Sequence, residues 1–143
     1  MKTVASILAV KGAEVFAVAP GASVYDALQV LAEKNVGALA VVDGGKLVGI
    51  LSERDYARKV VLVDRSSRGT LVSEIMTAKV ETIAATSSIE ECMELMTERH
   101  VRHLPVLDGE ELVGVISIGD VVKAVIADLA AMVEQLDAYI RGR

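Results

Sequence analysis

The stretch GILSERD at residues 49–55 returns as GVISIGD at residues 114–120. Each copy has a glycine, apolar positions that end in a serine, two variable positions and an aspartate. The surrounding sequence repeats as well: residues 36–60 align without a gap over residues 101–125, 65 positions later, with 11 of 25 residues identical. Such an alignment indicates a tandem repeat. Each copy alone is too small to bury a good core, so we expect the two copies to pack on each other.

Each copy predicts the same order of elements, which is strand, helix, hairpin, helix. Apolar residues at helical spacing follow Ser23 and Ser88, and an acidic residue stands three positions after each serine, which is typical of a capped helix start. Two short apolar runs then flank Asp43-Gly44 in one copy and Asp108-Gly109 in the other. Because Asp-Gly accepts the positive φ of tight turns, these runs predict β-hairpins.

The polar stretch at residues 64–70 is the predicted linker between the copies. It divides the chain into residues 1–68, which include an N-terminal helix, and residues 69–143, which include a C-terminal helix. Short strands are expected ahead of the first capped helices, at residues 15–18 and 80–83. The second helix of each copy is expected to begin at the serine of the repeated motif.

The composition is acidic and aliphatic. The net charge is −5, apolar residues make up 52% of the chain and aromatic residues only 3%. An acidic chain argues against general binding to nucleic acid. There is no apolar run long enough for a membrane span and no signal-peptide cleavage pattern, and the single cysteine excludes an internal disulfide. We therefore expect a cytoplasmic protein without a membrane segment.

The repeated motif places Ser52 three residues before Asp55, and Ser117 three residues before Asp120. This is capping-box spacing, and a helix cap alone would explain the motif in both copies. A helix N-terminus is also a natural site for a phosphate or a ribose, because it presents free amides and a partial positive charge. An aspartate there can accept hydrogen bonds from two neighbouring ribose hydroxyls. The motif is therefore interpreted as a cap that also has the chemistry of a ligand contact.

The tandem β-α-β-β-α unit, with ALAVVDGGKLVGILSERD at residues 38–55 and HLPVLDGEELVGVISIGD at residues 103–120, resembles the cystathionine-β-synthase (CBS) domain pair, or Bateman module. The resemblance covers nearly the whole chain. It implies an α/β fold in which two CBS repeats pack by pseudo-twofold symmetry. It further implies an adenosine-containing ligand in the clefts between the motifs, with AMP the first candidate and ATP, NAD or S-adenosylmethionine as others. A homodimer is also implied.

The resemblance assigns the ribose contact to the two aspartates of the motif. Nearby basic residues suit phosphates directed at the pseudo-twofold axis, with surface charge as the alternative. Three apolar residues are candidate adenine walls or, alternatively, core residues with one edge exposed. The predicted ligand-binding residues are Ser52, Arg54, Asp55, Arg58, Ile83, Arg102, His103, Leu104, Pro105, Ser117, Ile118 and Asp120. Which arginine serves which cleft, and whether one or both clefts fill, stays open.

Signatures of catalysis are missing from the sequence. It contains neither a Walker phosphate loop nor a dinucleotide-binding glycine motif, and two histidines with one cysteine at these spacings form no metal-ligand set. Cys92 falls on the apolar face of its helix, which favours a core position over a nucleophile. We therefore expect an adenine-nucleotide sensor that signals to a partner and is not an enzyme. The alternative is a ligand-free CBS pair that serves dimerisation or protein interaction.

The C-terminal segment predicts a helix with a second use. A 3-4-3-4-3 spacing, typical of a helix–helix seam, relates Val122, Val125, Leu129, Met132, Leu136 and Tyr139. The repeat already has its full complement of elements before Leu129, so the later turns need another apolar surface to cover them. We expect residues 129–140 to contribute to a homodimer, whose parallel or antiparallel arrangement the sequence leaves open.

Overall fold

Each repeat forms one three-stranded sheet in the computed structural model, which describes residues 2–12 and 14–142. In both sheets the first strand runs parallel to the second, and the second pairs antiparallel with the third. The first repeat contains α1 (Val4–Lys11), β1 (Ala17–Val18), α2 (Val24–Lys34), β2 (Ala38–Asp43), β3 (Lys46–Ser52) and α3 (Glu53–Tyr56), which continues as a π-helical turn (Ala57–Val61). The second contains α4 (Val72–Ile75), β4 (Ile83–Ala84), α5 (Ile89–Arg99), β5 (His103–Asp108), β6 (Glu111–Ser117) and α6 (Ile118–Arg141). The predicted α/β fold and element order are confirmed.

Helices α2 and α5 begin and end at equivalent positions of the two repeats. The Ser23 hydroxyl accepts a hydrogen bond from the Asp26 amide at 3.1 Å, and Ser88 accepts the same bond from Glu91 at 3.1 Å. Both helices end at a residue in the left-handed conformation, Asn35 and His100, each with φ of 53°. The helix starts predicted from the two serines are therefore confirmed, because capping depends on residues only three positions apart.

The hairpins form where predicted, but their turns lie one residue later. Asp43 pairs with Lys46 as the last residue of β2, so the turn consists of Gly44 and Gly45, with φ of 58° and 82°. Asp108 is likewise a strand residue, and the positive φ of 64° belongs to Gly109. The expectation that the aspartates lie within the turns is wrong, because in a two-residue hairpin the positions with positive φ fall on the glycines. The observed first strands, β1 and β4, have two residues each.

The leading helices are exchanged between the repeats. Helix α1 packs Val4, Ile7 and Leu8 into the core of the second repeat. Helix α4 packs Val72 and Ile75 into the core of the first. The predicted packing of the two copies on each other is therefore an exchange of helices, and it brings the C-terminal end of α1 close to β6 and α6.

The two motif helices differ in length and surroundings. Helix α3 is short, whereas α6 has 24 residues. From Leu129 to the end of α6 every described side chain is exposed. No helix within residues 2–12 and 14–142 combines the length and apolarity required to cross a membrane.

Candidate functional site

The repeated serine and aspartate cap their helices in both copies. The Ser52 amide donates to Asp55 Oδ2 at 3.0 Å, and the Ser52 hydroxyl oxygen accepts from the Asp55 amide at 3.2 Å. The Ser117 amide donates to Asp120 Oδ2 at 2.8 Å, and the return bond is 3.2 Å. The predicted capping boxes are confirmed, and they hold each carboxylate at a helix N-terminus.

Asp55 lies in the larger of two related openings, which we call the first cleft. Its volume of about 630 Å³ falls in the usual range for small-molecule sites. Residues of both repeats line it: Gly37, Ile50, Ser52, Glu53, Arg54, Asp55, Arg58, Lys59, Thr77, Lys79, Val80, Glu81, His100, Val101, Arg102 and His103. Six of the predicted site residues therefore meet here, namely Ser52, Arg54, Asp55, Arg58, Arg102 and His103.

Asp120 lies in the equivalent opening of the other motif, which we call the second cleft. It is smaller, about 230 Å³, and is lined by Lys11, Glu14, Phe16, Asn35, Val36, Gly37, Ala38, His103, Val115, Ser117 and Asp120. Residues 35–38 stand here where residues 100–103 stand in the first cleft. The pseudo-twofold relation between the repeats therefore gives two clefts whose walls have different chemistry.

The first cleft carries more basic than acidic side chains. Its basic residues other than histidine are Arg54, Arg58, Lys59, Lys79 and Arg102, and its acidic residues are Glu53, Asp55 and Glu81. The Lys59 ammonium lies 3.0 Å from Asp55 Oδ1 and donates to the Ile75 carbonyl at 2.9 Å. An excess of cationic groups around a concave opening favours an anionic ligand. Lys79 was not among the predicted site residues, because it lies between α4 and β4 and belongs to no recognisable sequence motif.

His103 belongs to the walls of both clefts. It opens β5 opposite Gly37, where a Cβ would lie only 3.1 Å from the His103 Nε2 atom. Burial is the main cause that lowers the pKa of His103, and the charges of Lys11 and Arg102 lower it further while Asp120 opposes them. The imidazole is therefore held in its neutral form between the clefts.

Lys11 reaches into the second cleft from the end of α1. Its ammonium donates to Asp120 Oδ2 at 2.7 Å and to the Val115 carbonyl at 2.7 Å. Burial alone would raise the pKa of Asp120, but the hydrogen bonds from Lys11 and Ser117 and the charge of Lys11 lower it below its usual value. Lys11 was not among the predicted site residues, because 109 positions of sequence separate it from Asp120.

Four predicted site residues lie outside both sets of cleft residues. Ile83 and Leu104 belong to the second-repeat core, with 7% and 0% of their surface exposed, and Pro105 is buried as well. Ile118 contributes instead to a small apolar groove between α5 and α6, next to Met93. The packing of β4 and β5 against the helices places Ile83, Leu104 and Pro105 in the core, the alternative that the sequence left open, whereas Ile118 lies on α6 outside both clefts.

The described residues also bear on metal binding and on the cysteine. Within residues 2–12 and 14–142, no three His, Cys, Asp or Glu side chains gather in a group that could hold a metal ion.

Cys92 is fully buried in the second-repeat core, as predicted, and burial raises the pKa of its thiol to about 11. A thiol in such surroundings is a poor nucleophile.

Both repeats are similar to known protein domains. The CBS domain family model matches residues 9–62 and 72–127. The CBS domain-containing protein CBSX3 of Arabidopsis thaliana, which is named as mitochondrial, is 42% identical over 125 residues. That match covers 84% of this chain but only 61% of the Arabidopsis protein, less than two thirds of its length.

Two solved structures give the same result for the fold. A protein with CBS domains from Burkholderia ambifaria MC40-6 matches with a TM-score of 0.85 and 57% identity, over 89% of this chain and 96% of that one. The CBS domain pair of protein MJ0100 matches with a TM-score of 0.78 and 25% identity, over 90% of this chain and 98% of that one. The MJ0100 pair was solved in complex with 5′-methylthioadenosine and S-adenosyl-L-methionine.

Proposed function

Because the chain belongs to the CBS domain family and carries two CBS domains in tandem, we propose that it is a regulatory protein that binds an adenine nucleotide between its repeats and signals this to a partner. AMP is the first candidate, and ATP and NAD share the required chemistry. S-adenosylmethionine, which the MJ0100 pair binds, is the alternative within adenosyl ligands. The proposal concerns binding and not catalysis.

The observation that carries the proposal is the first cleft with Asp55 at its helix N-terminus. A volume of about 630 Å³ accommodates a ligand of nucleotide size. In the proposed complex, Asp55 accepts hydrogen bonds from the ribose hydroxyls once Lys59 turns aside. Lys59 is a half-exposed side chain one helix turn after Asp55, and an ion pair at this exposure contributes little to stability. It can keep its hydrogen bond to the Ile75 carbonyl when it leaves Asp55.

The remaining walls of the first cleft suit the other parts of a nucleotide. Ile50, Val80 and Val101 are partly exposed apolar residues of this cleft and are the proposed contacts of the adenine ring. They replace the three apolar residues expected from the sequence. Arg54 and Arg102 are exposed within the same lining and are the proposed phosphate contacts, because guanidinium groups bind phosphate oxygens with paired hydrogen bonds.

Calorimetric titration with AMP, adenosine and S-adenosylmethionine tests this function. We expect AMP to bind most tightly, and Asp55→Ala to weaken its binding by about 1.5–3 kcal/mol, the range for hydrogen bonds to charged groups. Asp43→Ala, at an exposed hairpin end outside the clefts, is the matched control and should bind as the wild type does. Absence of binding by all three ligands would reject the function, and equal affinity of wild type and Asp55→Ala would reject the ribose contact.

Assembly as a homodimer is part of the proposal, and the exposed apolar face of α6 supports it. Ile126, Leu129, Met132, Val133 and Leu136 are each more than half exposed in the single chain. Apolar patches of this kind usually mark an interaction surface. A CBS pair that only dimerises, without a ligand, is the second candidate function, and the same titration separates it from the first. The cytoplasmic location remains a prediction.

A further inference from the structure

We propose that Lys11 determines which cleft accepts a nucleotide: by holding Asp120 it closes the second cleft to nucleosides, so that the chain binds one nucleotide at Asp55 and a second only after Lys11 is released. This inference rests on the proposed function and adds the selectivity between the two sites. The residue involved lies outside the repeated motifs, at the end of a helix that packs on the opposite repeat.

Lys11 occupies one of the two carboxylate oxygens of Asp120 that a ribose diol would contact. An ammonium group has three donors, and two of them are used inside the cleft, on Asp120 Oδ2 and on the Val115 carbonyl, both at 2.7 Å. The same Oδ2 accepts the capping bond from the Ser117 amide. A ribose diol that approaches Asp120 must therefore displace an ion pair in which both partners are charged, whereas the diol itself offers only uncharged donors.

The first cleft is built differently at the equivalent positions. Ile50, the counterpart of Val115 in the repeat, exchanges backbone hydrogen bonds with Thr77, at 2.9 and 3.0 Å. The Ile50 carbonyl therefore already has a backbone donor, whereas the Val115 carbonyl accepts from the Lys11 side chain. Lys59 approaches Asp55 on Oδ1 from one turn further along the same helix, and its side chain is 45% exposed. Lys11 is less exposed, at 35%, and comes from another element. Lys59 also has two acceptors, Asp55 Oδ1 and the Ile75 carbonyl. It differs from Lys11 in being more exposed and in sharing a helix with its carboxylate, whereas Lys11 bridges the two repeats.

The size of the two openings agrees with this difference. The second cleft, about 230 Å³, is smaller than the range of about 300–1,000 Å³ that is usual for small-molecule sites, and the first, about 630 Å³, lies within it. The Lys11 side chain itself lines the smaller opening. Its withdrawal would both free Asp120 and enlarge the cleft.

The test is a calorimetric titration with AMP, which measures how many AMP molecules bind to each chain. We expect the wild type to bind one AMP per chain, with Asp55→Ala weakening that binding by about 10- to 150-fold and Asp120→Ala affecting it far less. Lys11→Met should add a second site, at least about tenfold tighter than any second site of the wild type, since a charge-assisted bond no longer competes. Lys11→Arg preserves the charge and should keep one site. Lys59→Met, the matched control in the first cleft, should also leave the stoichiometry at one.

Each result decides between outcomes. Two equivalent sites in the wild type, loss of binding in Asp120→Ala, or one unchanged site in Lys11→Met would each overturn the role of Lys11. Since the wild-type and Asp55→Ala titrations leave the Lys11–Asp120 contact intact, they remain decisive even if Lys11→Met folds poorly. Failure of AMP to bind the wild type and Lys11→Met alike would instead reject the proposed function, and this inference with it.

Discussion

Leu8 of α1 packs directly on Gly114 of β6, so closely that a Cβ at position 114 would lie 2.7 Å from Leu8 Cδ2. The same relation holds in the other repeat, where a Cβ at Gly49 would lie 2.6 Å from Met76 Sδ. The glycine of the repeated motif therefore serves the exchange of leading segments between the repeats. A side chain at either position would force Leu8 or Met76 to move from its present position.

Substitution Gly114→Ala should destabilise the fold by about 1–3 kcal/mol, because overpacking of a close contact displaces its neighbours. Urea unfolding measures the change. Gly119→Ala is the control: it lies in the first turn of α6, where the new Cβ would be 3.6 Å from Ser117 Oγ, an ordinary contact. That variant should be more stable by about 0.5–1 kcal/mol, since alanine favours a helix over glycine. Equal stability of Gly114→Ala and wild type would contradict the packing role.

Arg102→Ala should weaken the binding of AMP by about 1 kcal/mol, the scale for an exposed ion pair. The affinity for adenosine should hardly change, because adenosine lacks the phosphate that Arg102 is proposed to contact. Calorimetry with both ligands gives the comparison. Arg68→Ala is the matched arginine control, since Arg68 stacks on Tyr25 and is not among the cleft residues. Equal losses for AMP and adenosine would remove Arg102 from the phosphate.

The pH dependence of stability should contain a contribution from His103. Its folded-state pKa is lowered, chiefly by burial, so the unfolded chain takes up a proton first as the pH falls. Stability should therefore be complete above about pH 6.5 and decline as the pH falls from there toward the folded pKa. Lys11, Arg102 and Asp120 are the charged groups that act on this imidazole.

Melting temperatures of wild type and His103→Gln, measured between about pH 7.5 and 5, test the histidine contribution. The glutamine variant keeps a polar side chain but cannot take up the proton, so its melting temperature should fall less over this range. Parallel profiles for the two proteins would show that His103 does not contribute.

Removal of residues 128–143 should give a monomer or a markedly less stable protein, as measured by light scattering and calorimetry. The finer test is Leu136→Glu, which places a charge on the α6 face at a residue 61% exposed in the single chain. It should prevent assembly of the proposed dimer without unfolding the protein. Val10→Glu, at a residue 89% exposed on α1, is the matched control and should leave the assembly intact. A truncated chain that stays dimeric with an unchanged melting temperature would defeat the α6 interface.

The repeat, the order of its elements and the caps at Ser52 and Ser117 follow from the amino-acid sequence alone. These features depend on neighbours within a few residues: a capping box spans three positions, and a hairpin turn only two. Local rules of this kind act identically in both copies, which is why the repeated motif was sufficient to predict the α/β fold and to place both aspartates at helix starts.

The difference between the two clefts depends on tertiary packing. The exchange of α1 brings Lys11 to Asp120 across 109 positions, and no local pattern records that contact. The packing of β4 and β5 likewise directed Ile83 and Leu104 into the core, although their apolar character alone fits a cleft wall equally well. Residues of both repeats line each cleft, so the contents of each cleft depend on how the repeats pack and not on the motif they share.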